Sequence, residues 1–188
     1  MKEYLVPSIK LTVVTAIIFG VLYPLLITGI AAVTAPNAGK GKEVVVNGRV
    51  VGFELIGQKF EDPKYFNSRP SAVDYNAAAT GGSNKGTANP EYLALVEERI
   101  ANFLEQNPDV KKQDIPVDLV TASGGGLDPH ISPQAAYVQI NRIANARKLD
   151  RVELKKLVDN YVEKPLLGVI GTETVHVLKL NIALDQLK

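Results

Sequence analysis

Apolar residues are distributed along this chain in two regimes. From Leu11 to Val33 (LTVVTAIIFGVLYPLLITGIAAV), 23 residues pass without a charge. Elsewhere apolar and polar positions interleave at the short periods of strands and amphipathic helices. A helix rises about 1.5 Å per residue, so the uncharged stretch reaches about 35 Å, enough to cross a hydrocarbon core of about 30 Å with some tilt. The next most apolar run, from Val175 to Leu184, is short and contains His176, Lys179 and Asn181. The pattern predicts an N-terminal tail over 1–10, one transmembrane helix over 11–33, a linker over 34–42 and a soluble domain over 43–188. A cleaved signal peptide is the competing reading, and Val33-Thr34-Ala35 offers the small residues of a cleavage site. Signal-peptide apolar regions run to about 7–15 residues, so length favours a retained anchor. With no polar face, the segment also does not suit the core of a soluble protein.

Gly20, Pro24 and Gly29 interrupt the apolar run. Pro24 lacks an N–H and its ring crowds the carbonyl of Gly20, which predicts a kink. Tyr23 and the hydroxyls of Thr12, Thr15 and Thr28 suit contact with neighbouring membrane helices. These features nominate Gly20, Tyr23, Pro24 and Gly29 as partner-binding residues.

Behind the linker, β-branched runs flank Asn47-Gly48, a hairpin-turn pair, and predict strands over Glu43–Val46 and Arg49–Ile56. The stretch from Asp62 to Asn89 is rich in turn signals yet carries Tyr65, Phe66 and Tyr75. Long loops are binding surfaces or disordered, and the aromatics argue for order. Three helices follow by period. The first is capped by Asn89, opens at Pro90, has an apolar stripe of Leu93, Val96, Ile100, Phe103 and Leu104, and stops near Asn107-Pro108. The second is capped by Ser132, with Ala136, Ile140, Ile143 and Ala144 as its buried face and Gln134, Gln139 and Arg142 off it. The third starts at Asp150, with Glu153 three residues on in a capping-box pattern. It buries Leu154, Leu157, Val158 and Tyr161, with Lys155 and Lys156 toward water. Alternation makes Val175-His176-Val177-Leu178 a strand, followed by a short tail from Leu180 to Leu187. The fold class is an α+β soluble domain preceded by one N-terminal transmembrane helix.

Composition narrows the function. The chain holds 21 Lys and Arg against 20 Asp and Glu; setting aside Lys2, Lys10 and Glu3 leaves 19 of each, a neutral domain. Nucleic-acid binding needs a clustered positive excess and is excluded, and no polybasic collar for anionic lipid is present. With no cysteine there is no disulfide, thiol chemistry or thiolate metal site. Lys2 and Lys10 precede the helix and Lys40, Lys42 and Arg49 follow it, so positive charge leaves the side of the membrane open.

The run Leu119–Ser132 (LVTASGGGLDPHIS) sets three glycines after an expected strand and a serine. Glycine loops can cradle phosphate, but this one lacks the Lys-Ser/Thr ending of a P-loop and the spacing of a dinucleotide fingerprint, so a tight structural loop is the better reading. Ser123, Asp128 and His130 are the residue types of a hydrolase triad, but the serine lacks the glycine two positions before it that a nucleophile elbow needs. His130 and His176 have no metal-ligand spacing. No catalytic or metal-ligating residue is nominated.

Several motifs in order carry a specific resemblance: Tyr65-Phe66-Asn67-Ser68-Arg69-Pro70-Ser71-Ala72, Gly82-Ser83-Asn84, Asn89-Pro90, Ile115-Pro116, Asp118-Leu119-Val120-Thr121-Ala122-Ser123-Gly124, Gly126-Leu127-Asp128-Pro129-His130-Ile131-Ser132, and Leu180-Asn181-Ile182-Ala183-Leu184-Asp185. Over nearly the whole chain the sequence resembles the C subunits of the Kdp potassium-transporting ATPases. Gly125 departs from the pattern, where many relatives carry a small polar residue; it should alter loop flexibility. The resemblance implies a non-catalytic accessory subunit of an ATP-driven potassium importer in a bacterial inner membrane. The implied partners are a channel-like potassium-binding subunit, a P-type ATPase subunit and in some members a small fourth subunit, besides lipid. It implies support of assembly and a catalytic-chaperone role, with no tightly bound cofactor but ATP held in a shared complex. For that ATP the candidates are Ser123, Gly124, Gly125, Gly126 and Gln139. It also implies a domain outside the cell or in the periplasm, where cytoplasmic nucleotide is out of reach, so scaffolding or gating at the channel mouth is the alternative. Tyr65, Phe66, Arg69, Tyr75 and Asn84 are the candidate partner contacts of the domain. An anchored hydrolase using Ser123 and His130 is the remote alternative.

Overall fold

Despite Gly20, Pro24 and Gly29, the apolar run stays helical, and Glu3–Thr34 forms one helical rod of 32 residues. The computed structural model describes residues 2–187, in two compact units, Met1–Glu43 and Val44–Lys188. In the first unit, helix α1 (Lys2–Ile17) passes through a π turn (Ile18–Leu22) into α2 (Tyr23–Thr34). The predicted tail is therefore helical, since Leu5, Val6 and Ile9 continue the apolar composition ahead of Leu11. No part of the apolar window is buried within the chain. The disturbance expected at Pro24 takes the form of the π turn, in which the Tyr23 N–H bonds to the Ile18 carbonyl, five residues back. The Thr15 hydroxyl, expected to serve a neighbouring helix, donates instead to its own backbone at Leu11 (2.9 Å) and Thr12 (3.0 Å). A 3₁₀ turn at Pro36–Gly39, with Asn37 and Ala38 in the left-handed region, follows.

The second unit opens with a hairpin of β1 (Glu43–Val46) and β2 (Arg49–Phe53). Asn47 and Gly48 turn it with φ of 51° and 77°, the pair of positive angles a type I′ turn requires. The second strand stops at Phe53, short of the predicted Ile56, because the Ile56 N–H folds back to the Phe53 carbonyl. Residues 54–89 contain no helix or strand. Helix α3 (Pro90–Gln106) is capped as predicted, the Asn89 side chain accepting from the Tyr92 N–H, and none of its residues is fully buried. The strand expected before the glycines is a 3₁₀ turn at Val117–Leu119, where the Asp118 carboxylate takes the Ser132 N–H (2.7 Å) and hydroxyl (3.2 Å).

The core is built from the remainder. Strand β3 (His130–Ile131) leads to α4 (Pro133–Tyr137), α5 (Ile140–Arg147) and α6 (Arg151–Asn160), then β4 (Val162–Glu163), β5 (Thr174–His176) and α7 (Val177–Gln186). The strands form an antiparallel sheet in the order β3-β5-β4, pairing His130 with His176 and Val162 with Val175. Helices and sheet enclose Phe66, Ile131, Ile143, Leu154, Val158, Leu180 and Leu184. Two expectations change. The helix capped by Ser132 breaks at Val138-Gln139 into α4 and α5. The predicted C-terminal strand ends at His176, whose Nδ1 accepts the Lys179 N–H and caps a buried helix in place of the tail. Alternation in Val175–Leu178 reported burial on both sides, which a strand end and a helix start share.

Gln139 and Arg142, read as off the buried face, are inside: 0% and 8% exposed. The Arg142 Nε donates to Asn107 Oδ1 (3.1 Å), one terminal nitrogen to the Pro63 and Tyr65 carbonyls, and the other to Asn67 Oδ1 (2.5 Å) and Gln139 Oε1 (2.6 Å). Five N–H donors meet five uncharged acceptors. Burial pushes the Arg142 pKa down to about 10, which leaves the guanidinium charged at neutral pH. Replacing Arg142 by Met takes this donor from the Asn107, Pro63, Tyr65 and Asn67 oxygens, while Gln139 Oε1 keeps the Asn67 N–H. We expect a loss of at least about 3 kcal/mol of stability, measured by chemical denaturation of the detergent-solubilised chain, with Arg142→Lys recovering only part of it.

Candidate functional site

The glycine run is a packing device. The Gly125 carbonyl accepts from the Gly81 N–H (3.1 Å) and from the Thr80 hydroxyl (2.9 Å). A Cβ on Gly82 would lie 2.8 Å from the Gly124 carbonyl oxygen. Gly126 has φ +71°, and a Cβ there would lie 2.8 Å from Val73. Two loops therefore approach closely enough to need glycine on both sides. Ser123 is buried, its hydroxyl accepting from the Asp128 N–H (3.4 Å) and its carbonyl from the Gly126 N–H (3.2 Å). Gln139 is not hydrogen-bonded to this run. Its Oε1 accepts from the Asn67 N–H and from Arg142, and its Nε2 donates to the Ala135 and Asn67 carbonyls. An amide has two donors and two acceptor sites, so Gln139 has none left over.

The triad residues are only partly assembled. His130 Nδ1 lies 3.3 Å from Asp128 Oδ1, and its Nε2 lies 3.7 Å from Glu163. No hydrogen bond joins Ser123 to His130 among the described residues. The imidazole of His130, then its backbone N–H and the Arg69 guanidinium, hold the Asp128 carboxyl below its ordinary pKa. Across the sheet the rings of His130 and His176 meet edge to face at 5.1 Å. The His176 Nε2 donates to the Glu54 carbonyl (2.6 Å), which leaves Nδ1 free to cap α7. Among the described residues no group of three or more His, Cys, Asp or Glu side chains is arranged to hold a metal ion.

The surface residues nominated for partner contact fall into separate places. Tyr65 donates to Asp185 (3.0 Å) and stacks under the Arg147 guanidinium, 4.8 Å from its ring centre. Phe66 is fully enclosed, clamped through both backbone groups by the Asn181 amide (2.8 and 3.0 Å). Arg69 pairs with Asp128 (3.2 Å). Tyr75 donates to the Arg69 carbonyl (2.5 Å), and burial pushes its hydroxyl up to about 12. Asn84 is exposed in a left-handed turn. In the first unit Tyr23 is exposed, and the positions a side chain would occupy at Gly20 and Gly29 are open space.

The most exposed apolar cluster of the domain was not nominated. Between β4 and β5 the chain turns through Leu166-Leu167-Gly168-Val169-Ile170, closed by reciprocal hydrogen bonds between Leu166 and Ile170 (both 3.0 Å). Leu166, Leu167, Val169 and Ile170 are 69%, 82%, 81% and 59% exposed. Leu167 holds φ +56°, a strained angle for a branched side chain. The signal was available: four large apolar residues broken only by Gly168, in a stretch assigned to neither helix nor strand.

The family model for the K+-transporting ATPase c chain, KdpC, matches residues 5–186. The chain is 58% identical to the potassium-transporting ATPase KdpC subunit of Flavobacterium johnsoniae over 180 residues, 96% of each chain. It is 52% identical to that of Bacteroides fragilis strain YCH46, over 98% of this chain and 97% of the relative. It is 48% identical to that of Caldanaerobacter subterraneus, over 98% and 95%.

Burial pushes the His176 pKa below its ordinary value of 6.5. The unfolded chain then takes up a proton more readily than the folded one as the pH falls, so stability present above pH 6.5 is lost on acidification through the folded pKa. Thermal melts should fall as the pH drops below 6.5. His176→Asn, which keeps a cap acceptor but cannot titrate, should flatten that first decline.

Proposed function

The chain belongs to the KdpC family, and from that premise we propose that it is the accessory, non-catalytic subunit of an ATP-driven potassium importer. In this reading it binds its neighbours through its membrane helix and through the apolar tip at Leu166–Ile170, and it supports their assembly. The tip carries the reading. Four large apolar side chains held in water at a strained turn are a cost the fold does not need for its own core. Burying each fully against a partner would contribute about 1.5–3 kcal/mol. The partners are the other subunits of the pump, and the domain takes the extracytoplasmic side that the resemblance implies.

A direct nucleotide contact is the less favoured mechanism for the same subunit. Gln139 spends its side-chain hydrogen bonds inside the domain, Ser123 is buried with its hydroxyl accepting from the Asp128 N–H, and the glycine run is pressed against residues 73–82. A chaperone effect on ATP affinity would then pass through contacts with the pumping subunit.

Two measurements test this. Leu167→Glu with Val169→Glu should weaken co-purification of the full chain with the other pump subunits at least tenfold, with its circular dichroism and melting temperature kept. Undiminished association would reject the tip as a contact. Photo-crosslinking of the assembled pump with an azido-ATP should label the ATP-hydrolysing subunit and spare residues 123–126 of this chain; labelling there would restore the nucleotide reading.

A further inference from the structure

The middle of the membrane helix has more hydrogen-bond acceptors than donors. In a regular helix the Phe19, Gly20 and Val21 carbonyls would take the N–H groups of residues 23, 24 and 25. Here the Tyr23 N–H is drawn back to the Ile18 carbonyl by the π turn. Pro24 has no N–H. Leu25 supplies one donor, within reach of Gly20 or Val21 and not of Phe19. Three carbonyls share one donor, so two are left over, and Phe19 is one of them whichever way Leu25 bonds. No hydroxyl compensates: a Ser or Thr side chain reaches the carbonyl three or four residues back, and none stands at positions 22–25.

The deficit lies at the centre of the 23-residue uncharged run, where hydrocarbon offers no water and each unsatisfied backbone group costs several kcal/mol. The face is also accessible, because a side chain at Gly20 would meet nothing within 4 Å. π turns inside α-helices are frequent at functional positions.

We propose that the Phe19 carbonyl, with whichever of the Gly20 and Val21 carbonyls Leu25 leaves over, is the docking point for a side-chain hydrogen-bond donor on a membrane helix of a partner subunit. The donor is an amide, hydroxyl or indole N–H, reaching the backbone across the gap that Gly20 leaves. This deepens the reading of the chain as a pump subunit and rests on it. It also gives the pair Gly20 and Pro24 distinct roles: the proline strips the carbonyls of their donors, and the glycine opens the way to them.

The sequence allows a direct test. Phe19-Gly20 is the single Phe-Gly pair in the chain, so labelling this subunit with ¹³C-carbonyl Phe and ¹⁵N-Gly isolates the Phe19 carbonyl in a solid-state NMR nitrogen–carbonyl correlation. The full chain is compared in lipid bilayers alone and assembled with unlabelled partner subunits. Assembly should move the Phe19 carbonyl signal downfield, as hydrogen bonding requires. Pro24→Ala, which restores a donor and lets the helix close, should shift the isolated chain's signal and weaken assembly roughly three- to tenfold. If the chain assembles with its Phe19 signal unmoved, or already downfield when alone because water is the donor, the proposal is overturned while the subunit reading stands. If the chain does not assemble, both fall.

Discussion

The soluble domain depends on a buried cation, Arg142, whose hydrogen bonds all go to uncharged groups. Arg142 gathers carbonyls and amides from Pro63, Tyr65, Asn67, Asn107 and Gln139 into one network. A guanidinium suits this task because its five donors point outward in one plane, so one side chain can serve several backbone segments at once. Hydrogen bonds to a charged donor contribute roughly twice what neutral ones do. Asn181 completes the arrangement by holding both backbone groups of Phe66. Segment 62–67 thus has a fixed shape without helix or strand, because its polar groups are answered from α5 and α7.

This use of polar chemistry bears on function. The residues that look reactive in the sequence are consumed by the fold: Ser123 by the turn to Asp128, Gln139 by Asn67 and Ala135, and His176 by Glu54 and the start of α7. Apolar surface is left exposed at the tip Leu166–Ile170 and along the N-terminal helical rod. Exposed apolar surface at these places gives the chain faces for contact.

The parts legible in the sequence were those set by local rules. The uncharged run, the Asn47-Gly48 turn and the caps at Asn89, Ser132 and Asp150 each follow from a residue type and its immediate neighbours, and the structure contains all of them. The buried roles of Gln139 and Arg142 were not legible. A polar residue on a helix reads as solvent-facing unless its partners are known, and these partners lie 72 to 79 residues away for Asn67, Tyr65 and Pro63. The C-terminal helix was missed because His176 ends a strand and caps a helix at once. Gly20 and Pro24 stood out as interruptions, but the sequence held no sign that the helix would answer with a π turn.

The long reach of the bonds around residues 54–67 has a consequence for biosynthesis. Glu54, Phe66 and Tyr65 wait for His176, Asn181 and Asp185, which leave the ribosome 115 to 122 residues later. The segment is synthesised before these partners exist and has nothing yet to fold against. Ordering of residues 54–67 therefore waits for the chain to be made beyond residue 176, and a nascent chain stalled before that point would present the segment, aromatics included, to chaperones and proteases.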